Sequence, residues 1–76
     1  MMEYGKYCDI ADDFKHGKNF KCGSFVKIEK DVIVGDDVTI ENFVSLKSSS
    51  RVGHNVKVEE HATILSGAQI GNGTKI

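Results

Sequence analysis

The 76-residue sequence contains no proline and no tryptophan, and it has only two cysteines, Cys8 and Cys22. Two cysteines are too few for a disulfide-rich scaffold, and their spacing does not match a CxxC metal site. No apolar run approaches the roughly 18 residues that a membrane helix requires, and the first residues lack the apolar core of a signal peptide. We therefore expect a cytoplasmic protein that has no membrane partner.

An excess of charge of one sign is also missing, because ten basic and eleven acidic side chains leave a net charge of -1. Such a balance gives no overall attraction for nucleic acid or for an anionic membrane. The length suits one domain over residues 1–76. A core of that size is marginal alone, so we expect repetition or oligomerisation to contribute to stability.

A six-residue repeat organises the chain from Tyr4 to Ile76 without a slip in register. The first position of each hexad is apolar from Cys22 onward, and the fifth position is small or apolar throughout. Six of the eight glycines stand at the second position: Gly5, Gly17, Gly23, Gly35, Gly53 and Gly71. Because this regularity dominates the local signals, the sequence predicts a repeat architecture.

The fifth, sixth and first positions alternate apolar, polar and apolar, as in Val38-Thr39-Ile40. This alternation indicates a short strand with one buried face. The second to fourth positions are rich in Gly, Asp and Asn, which tolerate the left-handed backbone of a sharp corner. The β-branched residues at the inward positions disfavour helix. We therefore predict short strands that alternate with corners along the whole chain.

The pattern resembles the repeat of the bacterial hexapeptide-repeat family, in which an aliphatic residue precedes Gly, Asp, Glu or Asn and a small residue follows two free positions. The resemblance covers residues 4–76. It implies an all-β fold, a left-handed parallel β-helix shaped as a triangular prism, with about 18 residues per coil and about four coils. We expect the first coil, residues 4–21, to be the least regular.

Residues one coil apart would stack in columns. The inward columns are aliphatic except for His16, and we expect the first coil to fray or cap there. One corner would carry an aromatic edge formed by Tyr7, Phe25, Phe43 and His61. An exposed aromatic stripe is unfavourable on a monomer, so we expect this edge to lie at an interface between chains, with packing of the rings along their own corner as the alternative. A polar column would bring Asp36 and His54 within reach of a hydrogen bond.

The segments VGDDVTIENFVSLKSS and RVGHNVKVEEHATILSGAQIGNGTKI look most like the repeat domains of serine and sugar acetyltransferases. The resemblance implies a homotrimeric acyltransferase. It would move an acyl group from acetyl-CoA or another acyl-CoA to a hydroxyl or amine of a small molecule such as a sugar or an amino acid. A histidine would act as general base, because a near-neutral imidazole can take the acceptor's proton. His61 on the aromatic edge is the first candidate, and His54 oriented by Asp36 is the second.

The lysines and histidines of the sequence are the residues that bear on binding of coenzyme A or a metal. Lys21, Lys57 and Lys75 share one face, where they could meet the phosphates of coenzyme A. The three histidines fall in different columns, so we expect no metal centre.

The loop insertion and the C-terminal cap of the family's enzymes are not seen, and the chain is much shorter than those enzymes. We therefore expect a fragment, a truncated product or an isolated repeat domain with little acetyl transfer of its own. A non-catalytic structural or assembly module is the alternative, favoured by the open strand edge of the last coil.

Overall fold

The computed structural model describes residues 3–76, with side chains from Gly5 onward. Eleven strands of two residues each alternate with turns along the chain. They are β1 (Glu3–Tyr4), β2 (Asp9–Ile10), β3 (Lys21–Cys22), β4 (Lys27–Ile28), β5 (Ile33–Val34), β6 (Thr39–Ile40), β7 (Ser45–Leu46), β8 (Arg51–Val52), β9 (Lys57–Val58), β10 (Thr63–Ile64) and β11 (Gln69–Ile70). The predicted all-β chain of short strands and corners is confirmed.

Three parallel sheets form the walls of a triangular solenoid. Their strand orders are β1-β3-β6-β9, β10-β7-β4-β2 and β11-β8-β5. Paired residues are 18 apart, as in Ile28 opposite Leu46, so one coil uses 18 residues and the predicted parallel β-helix is confirmed. The stack holds three complete coils and part of a fourth. In the first coil the third wall is reduced to a single bridge, between Lys15 and Ile33.

The core is a spine built from the first and fifth positions of the hexads. Val32, Val38, Val44, Leu46 and Val58 are fully buried, whereas the outward strand residues beside them are exposed or half-buried. Burial, followed by the neighbouring Cys8 thiol, raises the pKa of Cys22 to about 12, so this thiol stays protonated and packs as a small apolar group.

His16 departs from its expected inward column, because its side chain is exposed. The imidazole stacks on buried Phe20 with the ring centroids 5.2 Å apart and tilts against Phe14 at 5.5 Å. It therefore covers the apolar interior at the first coil, which agrees with the expectation of a cap.

The left-handed backbone of the corners falls on the fourth position of the hexads, within the segment of second to fourth positions where the sequence predicts it. Nine non-glycine residues have positive φ, with values between 57° and 66°: Tyr7, Asn19, Phe25, Asp31, Asp37, Phe43, Ser49, Asn55 and His61. Of the glycines, only Gly67 and Gly73 have positive φ, and they too stand at fourth positions. One left-handed residue turns the chain at each corner except the one at Asp13, in the first coil.

The second-position glycines allow neighbouring coils to approach each other closely. In five places the backbone N–H that follows such a glycine donates to a short side chain one coil later. The five pairs, which we call rungs, run from Lys6 to Ser24, from Lys18 to Asp36, from Ser24 to Asn42, from Asp36 to His54 and from His54 to Asn72. The donor–acceptor distances lie between 2.7 and 3.0 Å. A Cβ on any of the five glycines would overlap the accepting side chain. Glycine is therefore required by the next coil rather than by its own φ.

Gly35→Ala tests the close approach. The added methyl would lie 2.5 Å from His54 Nδ1, so the rung must shift, and overpacking of this kind costs about 1–3 kcal/mol of unfolding free energy. Gly71→Ala is the matched control, because the same methyl would meet nothing closer than 4.0 Å. We expect the control to be neutral or slightly stabilising in urea denaturation. Equal losses in both variants would contradict the role given to the rungs.

Among the side chains described from Gly5 onward, Ser50 is the one polar side chain of the core, and it is fully buried between Val32 and Ala68 of the same column. Within the described residues its Oγ has no hydrogen-bond partner. An unsatisfied buried hydroxyl costs about 1–3 kcal/mol, so Ser50→Ala should raise the unfolding free energy by about 1 kcal/mol. Val32→Thr, which places a hydroxyl in the same column, should lower it. Both changes can be read from the denaturation midpoint at constant slope.

Candidate functional site

The predicted aromatic edge exists as a continuous stack of rings along the first corner. Tyr7 and Phe25 have ring centroids 5.2 Å apart, and the next two steps, to Phe43 and then to His61, are each 5.0 Å. The last two pairs are within 4° of parallel. Tyr7 is 78% exposed, Phe25 50% and Phe43 49%. The rings thus pack on one another along their own corner and still present their edges to solvent.

The backbone of this aromatic edge is strained. All four residues occupy the left-handed region, with φ between 58° and 66°. That region is unfavourable for bulky side chains by roughly 1–2 kcal/mol per residue. The other two corners place Asn, Asp, Ser or Gly at their left-handed positions, which tolerate this geometry better. Burial does not offset the cost here, since about half of each phenylalanine stays exposed. Strained residues that burial does not explain are typical of functional surfaces.

His61 ends the stack on its C-terminal side. Its imidazole lies on Phe43 with an interplanar angle of 3°, and its side chain is exposed. Only the backbone of His61 is hydrogen-bonded among the described residues, through its N–H to the carbonyl of Asn42 at 3.2 Å. Both ring nitrogens are therefore open to a ligand or to a neighbouring chain.

Asp36 and His54 lie together as predicted, but through a different contact. His54 Nδ1 accepts the backbone N–H of Asp36 at 2.7 Å, whereas the nearer carboxylate oxygen is 3.8 Å away. The other carboxylate oxygen of Asp36 accepts the N–H of Lys18 at 2.8 Å. Because Nδ1 must supply a lone pair to the amide, neutral His54 carries its proton on Nε2. The carboxylate therefore does not orient this imidazole as it would in a general-base pair, and His54 points a donor outward.

The lysines expected to meet phosphate are engaged in part. Lys57 Nζ is 3.7 Å from Glu41 and Lys75 Nζ is 3.3 Å from Glu59. Such surface ion pairs are weak, about 0–1 kcal/mol, so a stronger anion could displace the glutamates. Residues 3–76 bring no three His, Cys, Asp or Glu side chains together as a metal site, and they include no helix long and apolar enough to cross a membrane.

At the second corner, Asp31 is held by its neighbours. Ser49 Oγ donates to its carboxylate at 3.0 Å, and Arg51 approaches the other carboxylate oxygen at 3.1 Å. The serine hydrogen bond and then the arginine charge lower the pKa of Asp31 below its ordinary value of 3.8. The sign is that of a carboxylate stabilised in its charged form, so its contribution is present above pH 3.8 and is lost as the pH falls further. These contacts join neighbouring coils and engage both carboxylate oxygens of Asp31.

A groove that the sequence analysis missed crosses the wall formed by β5, β8 and β11. Its cavity volume is about 540 Å³. The floor includes Gly17, Gly35 and Gly53, and the sides carry Lys15, His16, Ile33, Asp36, His54 and Asn72. The available signal was the column of second positions, since only at the third corner is that position glycine in all four coils, with Gly71 as the fourth. A run of glycines leaves a strip without side chains.

The three parallel sheets and the 18-residue register define the class of protein, a triangular parallel β-solenoid. No protein-family model matches the chain, and no similar sequence or fold was found among curated proteins or solved structures. The function must therefore be argued from the side chains themselves.

His54→Asn tests whether the imidazole serves as a rung. An asparagine oxygen can accept the Asp36 N–H, as Asn42 and Asn72 do at the same position in their own coils. The variant should keep the unfolding free energy of the parent to within about 0.5 kcal/mol. His54→Ala removes the acceptor and should cost about 0.5–1.5 kcal/mol. Nitrogen-15 NMR should also show the Nε2–H tautomer for neutral His54, and the opposite tautomer would contradict the assignment.

Proposed function

We propose that this chain is the repeat domain of an acyltransferase of the hexapeptide-repeat type, which acts as a homotrimer and uses acetyl-CoA or another acyl-CoA as co-substrate. The acceptor would be a hydroxyl or amine of a small molecule such as a sugar or an amino acid. The observation that carries the proposal is an exposed imidazole, His61, at the end of a strained and exposed aromatic edge.

The chemistry assigned to His61 is proton transfer. As the acceptor oxygen or nitrogen attacks the thioester carbonyl, an imidazole nitrogen takes its proton. The new bond to the carbonyl carbon forms while the carbon–sulfur bond breaks. The coenzyme thiolate leaves and recovers the proton from the imidazolium, so the base is regenerated. His61 suits this role because neither ring nitrogen is occupied by a described residue.

His54 is the weaker candidate for the base. Its lone pair at Nδ1 is committed to the Asp36 amide, and its outward nitrogen carries a hydrogen. To act as base it would have to give up the rung. The role assigned to His61 asks for no such rearrangement, which supports the choice between the two histidines.

A homotrimer accounts for the exposure of the aromatic edge. Burial of Tyr7, Phe25 and Phe43 between chains would contribute about 1.5–3 kcal/mol for each ring that is fully removed from water. A threefold ring suits a triangular prism. Each chain can offer the same edge to its neighbours, and the closed ring leaves no copy of that interface unpaired. The net charge of -1 is too small to oppose assembly.

A non-catalytic assembly module is the second candidate function. The same edge favours it, since stacked rings in strained positions are explained by an interface alone, without a substrate. The two functions share the trimer and differ in whether coenzyme A binds and whether His61 matters for anything except assembly.

The test combines assembly, binding and transfer. Light scattering should give a trimer for the parent and a monomer for Phe25→Ser with Phe43→Ser. With excess protein over acetyl-CoA and a panel of amino sugars, serine and amines, release of free thiol should fall 10²–10⁴-fold in His61→Gln. Lys30→Gln changes an exposed side chain that lies neither on the aromatic edge nor in the groove, so it is the control and should match the parent.

Each alternative outcome is informative. A trimer that shows no coenzyme A binding by NMR would favour the assembly module. Loss of transfer in His54→Asn with His61→Gln unchanged would return the base to the pair of His54 and Asp36. A parent monomer would remove the proposed interface and leave the rings as packing along a corner.

A further inference from the structure

We propose that the groove on the wall of β5, β8 and β11 binds a small zwitterion of the amino-acid class that carries an apolar side chain. This site lies on the wall between the second and third corners, whereas the aromatic edge is the first corner. Assembly through the aromatic edge would therefore leave the groove open. The proposal does not depend on acyl transfer or on the trimer.

The charges of the groove point to a ligand that has both signs. Lys15 and Asp36 line the same cavity. Among the side chains described from Gly5 onward, Lys15 forms no ion pair, and no lysine or arginine pairs with Asp36, whose carboxylate lies 3.8 Å from His54 Nδ1. A cation and an anion that line one cavity without pairing to each other are complementary to a carboxylate and an ammonium held on one small molecule.

The two imidazoles add directed hydrogen bonds of opposite polarity. His16 Nδ1 lies 2.8 Å from the carbonyl oxygen of Gly17, so this nitrogen donates and Nε2 keeps its lone pair. His54 has the opposite tautomer and presents Nε2–H, as its rung to Asp36 requires. The groove thus offers one neutral acceptor and one neutral donor, each with its tautomer set by the backbone. These groups match an ammonium hydrogen and a carboxylate oxygen.

The floor accommodates an apolar side chain. Ile33 is 38% exposed at the groove, and Val34 and Val52 lie buried beneath the glycine strip. The volume of about 540 Å³ falls within the usual range for small-molecule sites. Because the groove is open along its length, we expect millimolar rather than micromolar affinity.

Leucine is the probe for the experiment, used without coenzyme A on the full chain. Titration followed by amide NMR should move the signals of Ile33, Gly35 and Gly53 and leave those of the aromatic edge in place. Two analogues serve as matched ligands: 4-methylpentanoate, which lacks the ammonium, and 3-methylbutylamine, which lacks the carboxylate. Each should bind at least threefold more weakly than leucine.

Variants assign the contacts. Asp36→Asn keeps an oxygen for the Lys18 rung and removes the charge, so it should weaken leucine at least threefold while the unfolding midpoint is retained. Lys15→Met should weaken leucine and 4-methylpentanoate alike. Lys27→Met, at the same hexad position on another wall, is the control and should leave binding unchanged.

The result that overturns the proposal is equally direct. Shifts that are the same for leucine and for both analogues, or that persist in Asp36→Asn, would show that no zwitterion is recognised. Absence of shifts at Ile33, Gly35 and Gly53 at tens of millimolar leucine would remove the site altogether. Neither outcome bears on His61, so failure here and failure of the acyltransferase proposal can be told apart.

Discussion

The stacking of residues 18 apart is the constraint on which the rest of the solenoid depends, and at the first and third corners the rungs hold that spacing. A rung forms only where the residue before the donor is glycine and where each coil has the same length. Asp36 belongs to two rungs, as acceptor for Lys18 and as donor to His54. A coil one residue longer or shorter would break both rungs and would also turn the neighbouring strand residues from the core toward solvent. The constant register and the positions of the glycines therefore follow from the same requirement, that residues 18 apart stack on one another.

The fold could be predicted from the sequence because its signal is repeated in every hexad. Inward valine and isoleucine at fixed spacing exclude a helix and set the three walls, and the columns that follow from them are those observed, as in Ile28 opposite Leu46. The conformational role of glycine could not be predicted in the same way. Composition indicates that glycine permits a left-handed backbone, but the side chain that would clash with a Cβ at Gly35 is 19 residues away, on His54.

The column rule predicted which residues of the candidate site lie next to one another, but it did not predict the hydrogen bonds between them. The aromatic edge followed directly from the column rule, and its rings stack as nearest neighbours. For Asp36 and His54 the column rule gave proximity, yet the direction of the hydrogen bond depends on which atom of Asp36 faces the ring. The backbone amide is nearer than the carboxylate. The glycine groove has no motif of chemically distinctive side chains to predict it, because the column that forms its floor carries none.

The strand pairing has a consequence for how the molecule loses its structure. Each strand contacts only the strands one coil above and one coil below, so no contact ties the first coil directly to the third. Stability in such an array is close to a sum over coils and the interfaces between them. The middle coils hold two interfaces each and the outer coils one. Opening should therefore start at the ends and move inward, so that the first coil, with its third wall reduced to one bridge at Lys15, exchanges its amides long before Leu46 does.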